Sequence, residues 1–265
     1  MASLDTQVTV FGPDSSTPVH DIAVPTFGLV VAYELSAVGS TLALASGLKL
    51  VVFDLPTATV VHEAFMVGNP QFGAIALSGD GSKLAHGTLG KFSLMERDAL
   101  GVYAETYSHT LAMPTYCRRI ELSADGSTLV AGLHKQGNAN DARLISIDVP
   151  SQQVLMDTTL SGTGNDLNLF TAIECSEDGG RFAVGLWGDS DGLVPQVLAF
   201  RRDSLEPLLV DHLQGSVTSL DLSADGNHLA VSSKGAHAMQ WGGGGSLSLY
   251  RVGNTDVTVS GIPRS

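Results

Sequence analysis

Cysteine is scarce in this sequence, since only Cys117 and Cys175 occur among the 265 residues. Two cysteines that belong to no CxxC pair exclude a disulfide scaffold and a cysteine-ligated zinc site. Apolar runs are short, and none reaches the ~18 residues that a spanning helix needs. The N-terminal stretch lacks a basic start followed by an apolar core, so no secretory signal is visible. We therefore expect a soluble, cytoplasmic protein with no membrane partner.

Basic residues are also few. The chain has 14 Lys and Arg against 27 Asp and Glu, which gives a formal net charge of -13. Nucleic acids and anionic membranes attract clustered Lys and Arg, so an acidic chain is a poor partner for either. The composition therefore predicts no nucleic-acid partner and leaves cationic surfaces and metal ions open.

What the sequence does contain is a repeat. The stretch "IELSADGSTLVAGL" from Ile120 has four relatives: "YELSAVGSTLALAS", "IALSGDGSKLAHGT", "IECSEDGGRFAVGL" and "LDLSADGNHLAVSS". Their shared serines stand at intervals of 42, 45, 53 and 47 residues. These serines are Ser36, Ser78, Ser123, Ser176 and Ser223. Intervals of this size are typical of the blades of a β-propeller.

Each copy predicts two strands joined by a tight Ser-x-Asp-Gly turn, because Asp caps its own backbone and Gly supplies a positive φ. Only the first copy departs from this pattern, with Val38 in place of Asp. Two further short strands follow each pair, and four antiparallel strands are the unit of a propeller blade. We therefore predict a single all-β domain over residues 1–265, a β-propeller of four-stranded antiparallel blades. It has five full blades, at about 28–67, 70–111, 115–162, 168–214 and 216–261, plus an N-terminal outer hairpin at 1–26.

The segments "LSADGSTLVAG" and "LSADGNHLAVS" resemble the WD40-like and YVTN-like propeller repeats over nearly the whole chain. The Gly-His and Trp-Asp dipeptides of true WD40 blades are missing, since the third strands end in "FD", "ME", "ID", "FR" and "YR". The resemblance implies the propeller fold, and no functional residue is carried over from it.

Six outer hairpins but only five inner ones are present in the sequence, because "VTVFGPDSSTPVHDIAVP" matches "LSLYRVGNTDVTVSGIP" near the other terminus. In a five-bladed ring the two terminal hairpins compete for one blade. In a larger ring the N-terminal hairpin is half of a further blade. We favour five full blades plus the hairpin, with an excerpt of a longer propeller as the alternative.

The links between the second and third strands are longer in blades 3 to 5 than in blades 1 and 2. Long loops on a rigid scaffold are often functional. Blades 3, 4 and 5 have "HKQGNANDAR", "WGDSDGLVPQ" and "SKGAHAMQWGGGGS", whereas blades 1 and 2 need only "SGLK" and "TLGK". Tryptophan is a favoured anchor for partners, and both tryptophans lie in these loops. The candidate binding residues are Trp187, Trp241, His134, Lys135, Asp189, Asp191, His237 and Met239.

Acidic residues also recur two positions before the shared serine, at Glu34, Glu121, Glu174 and Asp221. Strand alternation directs this position away from the apolar neighbours and toward the central channel. A ring of carboxylates is one way to hold Ca²⁺, which takes six to eight oxygen ligands. The alternative is a channel of solvated acids, with Arg119 neutralising Glu121 or Glu174.

These features favour a non-enzymatic interaction scaffold that binds a protein or peptide through the loops of blades 3 to 5. No catalytic set is assembled in the sequence, and no cofactor is expected apart from the calcium hypothesis. One alternative is a lactonase-like or other metal-dependent hydrolase at the channel mouth, with His134, His237, Asp189 and Asp191 as candidates. Another is a glycan-binding propeller that uses the two tryptophan rings.

Overall fold

The computed structural model describes residues 6–12, 14, 16–24, 30–46, 49–66, 74–138, 140–163, 167–189, 191–237 and 243–253. Within these ranges the chain forms antiparallel strands and turns, and no helix. A two-stranded sheet comes first, with β1 (Thr6–Phe11) and β2 (Pro18–Val24). Five larger sheets follow, each built from consecutive strands in sequence order.

The first two of these five sheets, blades 1 and 2, each have four strands. Blade 1 contains β3 (Val30–Leu35), β4 (Thr41–Ser46), β5 (Lys49–Asp54) and β6 (Thr59–Phe65). Blade 2 contains β7 (Ile75–Leu77), β8 (Lys83–Gly87), β9 (Lys91–Arg97) and β10 (Tyr103–Thr110).

Blades 3 and 4 repeat this order, and blade 5 has three described strands. Blade 3 contains β11 (Thr115–Leu122), β12 (Thr128–Lys135), β13 (Asp141–Asp148) and β14 (Gln153–Ser161). Blade 4 contains β15 (Phe170–Cys175), β16 (Arg181–Leu186), β17 (Val197–Arg201) and β18 (Pro207–Asp211). Blade 5 contains β19 (Val217–Leu222), β20 (His228–Lys234) and β21 (Gly245–Arg251). Its expected fourth strand, "DVTVS" from Asp256, lies outside the described residues.

The core lies between neighbouring blades, where the facing sides of adjacent sheets are buried. Phe92 and Leu94 of blade 2, for example, pack in one cluster with Leu129 and Ile145 of blade 3. The first strands β3, β7, β11, β15 and β19 surround a central cavity of about 520 Å³. This radial stacking of four-stranded sheets is the arrangement that the repeats predict.

The Ser-x-Asp-Gly turns form as the sequence predicts. In blade 3 the Ser123 hydroxyl donates to Asp125 Oδ1 at 2.6 Å, and the Ser127 N–H donates to the same oxygen at 2.8 Å. Gly126 has the positive φ of 67° that favours glycine here. In blade 4 the Gly180 N–H and the Ser176 hydroxyl lower the pKa of Asp178, because both donate hydrogen bonds to the carboxylate.

Blade 1 lacks this cap, so it offers a test. Val38 occupies the aspartate position and is 67% exposed. We expect Val38→Asp to raise the free energy of unfolding by about 1 kcal/mol, because the new carboxylate accepts hydrogen bonds from the Ser36 hydroxyl and the Ser40 N–H. Chemical denaturation at pH 7 measures the change. Val38→Asn supplies a neutral acceptor as the control, and an unchanged midpoint for both variants contradicts this account of the turn.

Candidate functional site

The blade topology gives the domain two ends. The Ser-x-Asp-Gly turns lie at one end, which we call the turn face. The links from the second to the third strand lie at the opposite end, which we call the loop face, because consecutive antiparallel connections alternate between ends. The described parts of the three long loops therefore share one face of the molecule.

Trp187 begins the blade 4 loop at the end of β16 and is partly exposed. Its carbonyl oxygen accepts a hydrogen bond from the Ser216 hydroxyl at 2.9 Å, and His237 Nδ1 lies 3.4 Å from the same oxygen. The Lys234 ammonium lies 5.7 Å from the centre of the indole ring, within cation–π range. The structure thus brings Trp187 and His237 together. It also places Lys234 of the blade 5 loop at this site, a residue that was not among the candidates.

Asp189 lies in the same loop but is fully buried, with an exposed fraction of 0%. Its two carboxylate oxygens accept hydrogen bonds from the N–H groups of Thr163, at 2.9 Å, and Leu193, at 3.2 Å. This carboxylate therefore ties the blade 4 loop to the link that precedes the blade. Among the candidate residues Asp189 shapes the loop, whereas Asp191 lies exposed at its tip.

Leu193 follows Asp191 and is 63% exposed, although both neighbouring stretches of the loop are anchored. Val194 beside it is 1% exposed and packs in the core between blades 3 and 4. The buried Gln196 side chain donates to the Val194 carbonyl at 3.0 Å and accepts from the Leu213 N–H at 2.7 Å. Leu193 was not among the residues predicted from the sequence, because only its exposure distinguishes it from the buried Val194 beside it.

The blade 3 loop presents the second group of candidates. His134 is partly buried near the end of β12, and its Nδ1 atom is enclosed without a hydrogen-bond partner in the structure. Burial, together with the positive charge of Arg118, lowers the pKa of His134 below its usual value. The next residue, Lys135, is exposed. The position therefore favours the neutral form of His134.

The remaining candidates, Met239 and Trp241, lie outside the described residues. The structure describes a groove of about 330 Å³ at the loop face. The groove is lined by residues of the link between blades 4 and 5 and by both ends of the blade 5 loop, including His212, Gln214, Lys234 and Ser246.

The central cavity contains three of the four acidic residues that the repeat aligned, whereas Asp221 is exposed and does not line it. Glu34, Glu121 and Glu174 line it, together with Arg119 nearer the loop face. Burial raises the pKa of Glu34 to about 7. Burial also raises the pKa of Glu174 to about 7, and the neighbouring Asp221 and Glu34 add to this effect. Glu121 is the most enclosed, and burial followed by repulsion from Glu174 and Glu34 raises its pKa well above the usual value.

Arg119 directs two hydrogen bonds to backbone carbonyls. Its Nε donates to the carbonyl of Thr171 at 2.5 Å, and its Nη1 donates to the carbonyl of Arg118 at 3.1 Å. Burial, followed by repulsion from Arg118, lowers the pKa of Arg119. The raised pKa values favour proton uptake by the glutamates, which relieves their mutual repulsion.

The calcium hypothesis for Glu34, Glu121, Glu174 and Asp221 stays a prediction. In the described part of the chain, no three His, Cys, Asp or Glu side chains are grouped so that they could hold a metal ion. The described ranges likewise contain no helix that is long and apolar enough to cross a membrane.

Comparison with known proteins identifies the fold. No protein-family model matches the sequence, and no curated protein matches it. Solved structures do match. A chain of a mitotic checkpoint complex has a TM-score of 0.67 at 16% identity, with 96% of this chain and 74% of that chain covered. The Cps50 (Swd1) β-propeller domain from Myceliophteria thermophila has a TM-score of 0.62 at 16% identity, covering 88% and 70%.

A third match is a hydrazine synthase chain from Kuenenia stuttgartiensis, with a TM-score of 0.60 at 18% identity, covering 91% of this chain and 67% of that chain. Identities this low show the fold and not the activity. The protein is a β-propeller of the WD40-like fold. This confirms the fold class and the resemblance drawn from the repeats.

Proposed function

We propose that this propeller is a non-enzymatic interaction scaffold that binds a protein or peptide through the loop face of blades 3 to 5. The observation that carries the proposal is the blade 4 loop, whose backbone is anchored by hydrogen bonds. On this loop Trp187 is partly exposed and Leu193 is 63% exposed. Exposed apolar side chains on a preorganised loop favour association, since little conformational entropy is lost on binding.

Buried polar side chains anchor the blade 4 loop at both ends. Asp189 and Gln196 are buried, at 0% and 1% exposure, and together they fix both ends of the loop through hydrogen bonds. Between them Asp191 and Leu193 point to solvent. A loop that served only to connect two strands would not need two buried polar side chains to fix its backbone while a leucine side chain stays exposed to solvent.

The chemistry of the loop face favours a peptide segment with both apolar and acidic residues. Lys234 lies over the Trp187 ring and also borders the 330 Å³ groove, and Lys135 is exposed on blade 3. An indole beside an ammonium group binds an apolar side chain and an adjacent carboxylate together. One of the matched structures is a chain of a complex by its name, which is consistent with a protein partner for this fold.

The test uses two leucines of blade 4 that differ only in their position. Leu193 is 63% exposed on the loop face, and Leu205 is 62% exposed on the turn face. A photo-reactive amino acid at each position, followed by irradiation in cell lysate and mass spectrometry, identifies proteins that contact each face. We expect one partner to be crosslinked from position 193 and not from position 205.

Affinity measurements with the partner so identified complete the test. We expect Leu193→Asp to weaken binding at least tenfold and Leu205→Asp to leave it unchanged, because only the first places a charge in the contact. Equal crosslinking from both positions, or equal affinity of both variants, would reject the loop face as the binding surface. Turnover of a lactone substrate by wild-type protein would favour the hydrolase alternative instead.

A further inference from the structure

Blade 2 buries a pair of polar residues where other blades bury apolar ones. His86 of β8 is 8% exposed, and Ser93, its register partner on β9, is 0% exposed. The same two positions hold apolar pairs in blades 1, 3 and 4. These pairs are Leu44 with Val51, Ala131 with Ile145, and Val184 with Leu198. Blade 2 therefore places an imidazole and a hydroxyl where these blades place hydrocarbon side chains.

His86 and Ser93 face blade 1, because their counterparts in blades 3 and 4 pack against the preceding blade. The facing side of blade 1 includes Leu50 and Val52. His62 of β6 is the register partner of Val52 and lies on the same side of the sheet. We call this contact between the two sheets the blade 1–2 seam. The seam thus contains two histidines within an otherwise apolar interface.

Each imidazole of the seam has one enclosed nitrogen atom. Nδ1 of His86 and Nε2 of His62 are buried, and neither has a hydrogen-bond partner in the described structure. The His62 ring packs edge to face on the Tyr103 ring of blade 2, with centroids 5.9 Å apart. An imidazolium carries a proton on both nitrogens, so the enclosed atom would then hold an N–H without an acceptor. The seam therefore favours the neutral form of both rings.

The charged groups around His86 do not offset its burial. Burial is the largest cause that lowers the pKa of His86, to about 4, and it lowers the pKa of His62 as well. The positive charge of Lys91 on β9 lowers the pKa of His86 further, whereas Glu105 on β10 raises it. Lys91 and Glu105 form an ion pair with each other at 2.9 Å. A proton on His86 would therefore add a charge that has no carboxylate of its own.

The polar links described across the seam lie at its turn-face end. The Val38 N–H donates to the Gly79 carbonyl at 3.1 Å and joins the turns of the two blades. Nη2 of Arg97 lies 3.3 Å from Oδ1 of Asp54, and both residues end their strands at the turn face. His86 lies near the opposite end of β8, close to the loop face. Polar links therefore join one end of the seam, and the two histidines lie nearer the other.

We propose that the blade 1–2 seam is an acid-sensitive hinge, which opens at its loop-face end when His86 and His62 take up protons. A protonated ring that stays in the seam carries an unpaired charge in an apolar contact, and opening returns that charge to water. The Arg97–Asp54 ion pair keeps the turn-face ends together. The N-terminal hairpin packs on the other face of blade 1, so we expect it to move with that blade.

The direction of the effect follows from the lowered pKa of His86. The closed seam binds fewer protons than the open seam between the ordinary value of 6.5 and about 4. The closed form is therefore fully favoured above pH 6.5 and loses this advantage as the pH falls toward 4. From pH 7 to pH 5 the equilibrium constant for opening should rise about twentyfold. The raised pKa of Glu34 acts the opposite way on any opening that exposes it, so a His86 variant is needed to isolate the effect.

The experiment places a reporter thiol in the seam through Ser93→Cys, a substitution of similar size at a fully buried position. A pyridyl disulfide, which reacts with thiols at acidic pH, labels this thiol when the seam opens. The rate is divided by that of the same cysteine in the unfolded chain. We expect this ratio to rise about twentyfold from pH 7 to pH 5. Addition of His86→Leu, which supplies the Leu44 side chain of blade 1 at this position, should reduce the rise to less than about threefold.

Cys117 provides the internal control, because it is 0% exposed in the contact between blades 2 and 3. Peptide mapping by mass spectrometry separates its labelling from that of the reporter. An equal rise at Cys117 would mean that the whole domain opens, and no rise at the reporter would mean that the seam stays closed. An undiminished rise after His86→Leu would assign the effect to another group. Each of these results would overturn the proposal.

His86→Gln, which is neutral at both pH values, replaces His86→Leu if that variant does not fold. The loops of blades 3 to 5 have no part in this measurement. Loss of loop-face binding in Leu193→Asp would therefore leave the labelling of the seam unchanged, and the two proposals fail independently.

Discussion

Glu121→Gln is expected to stabilise the protein strongly at pH 8 and to leave it unchanged at pH 4.5. Glu121, Glu34 and Glu174 all have raised pKa values in the folded state, the last two to about 7. The folded protein therefore binds more protons than the unfolded chain above pH 4.5. The contribution of these carboxyl groups to the free energy of unfolding is fully present below pH 4.5 and is lost as the pH rises through about 7.

The size of this effect follows from the conversion of 1.36 kcal/mol per pKa unit. At pH 8 Glu34 and Glu174 each lower the free energy of unfolding by about 1–2 kcal/mol, once their partial exposure to solvent is allowed for. Removal of the most enclosed carboxyl, in Glu121→Gln, should raise the free energy of unfolding at pH 8 by at least about 2 kcal/mol. The change also relieves the repulsion between Glu121 and its neighbours. For a domain of this size, that corresponds to a rise in Tm of roughly 4–8 °C.

Thermal unfolding followed by circular dichroism from pH 4.5 to 8 measures this linkage. The control is Glu206→Gln, an identical substitution at an exposed position of blade 4. A wild-type Tm that is flat or rising over this pH range would contradict the assignment of raised pKa values. Added Ca²⁺ at pH 8 provides the matching test of the calcium hypothesis, since an ion bound by the carboxylates would raise the wild-type Tm and leave that of Glu121→Gln nearly unchanged.

The repeat predicted the fold because it specifies local structure directly. Ser123, Asp125 and Gly126 each have a defined role in a tight turn, and five such turns at regular intervals determine the hairpins. The position of the cavity glutamates was also predictable, since strand alternation separates Glu121 from Ile120 and Leu122. The same rule was wrong for Asp221, which is exposed and does not line the cavity. These inferences use only neighbours in sequence.

Contacts between distant residues were not predictable in this way. The loop "WGDSDGLVPQ" does not reveal that Asp189 is buried while Leu193 is exposed, because the decisive contact is with Thr163. The exposure of Tyr33 likewise depends on what lies beside it, since Tyr33 is 72% exposed and Ile120, at the same position of blade 3, is 3% exposed. Such features arise from tertiary packing, where the repeat itself carries no information.

A bulge that recurs in the first strands was also missed. The pairing register shifts at the fifth residue before the shared serine in blades 1, 3, 4 and 5. The extra residue bends each first strand at the loop-face end of the channel. In blade 3 the bulge at Arg118 sets Arg119 toward the channel, where it lines the cavity. Bulges of this kind require no glycine, so no residue type marks their position in the sequence.

Gly132→Ala is expected to destabilise the protein by about 3 kcal/mol, which is the upper range for overpacking a core. Gly132 lies in the middle of β12 and is buried against the first strand of blade 4. An added Cβ would lie 2.8 Å from the Phe170 ring and 3.0 Å from Ile173. Phe170 is 1% exposed, so the ring has no free space into which it can move.

The comparison that isolates this effect is Ser232→Ala, which places the same residue at the corresponding position of blade 5. Ser232 is partly exposed because no described strand packs over it, and its hydroxyl lies 2.8 Å from that of Thr218. Loss of this exposed hydrogen bond should cost no more than about 1 kcal/mol. Urea denaturation of both variants measures the difference. An equal loss of free energy of unfolding in the two variants would mean that Phe170 can move to accommodate the added Cβ. The close approach of Phe170 would then not require a glycine at position 132.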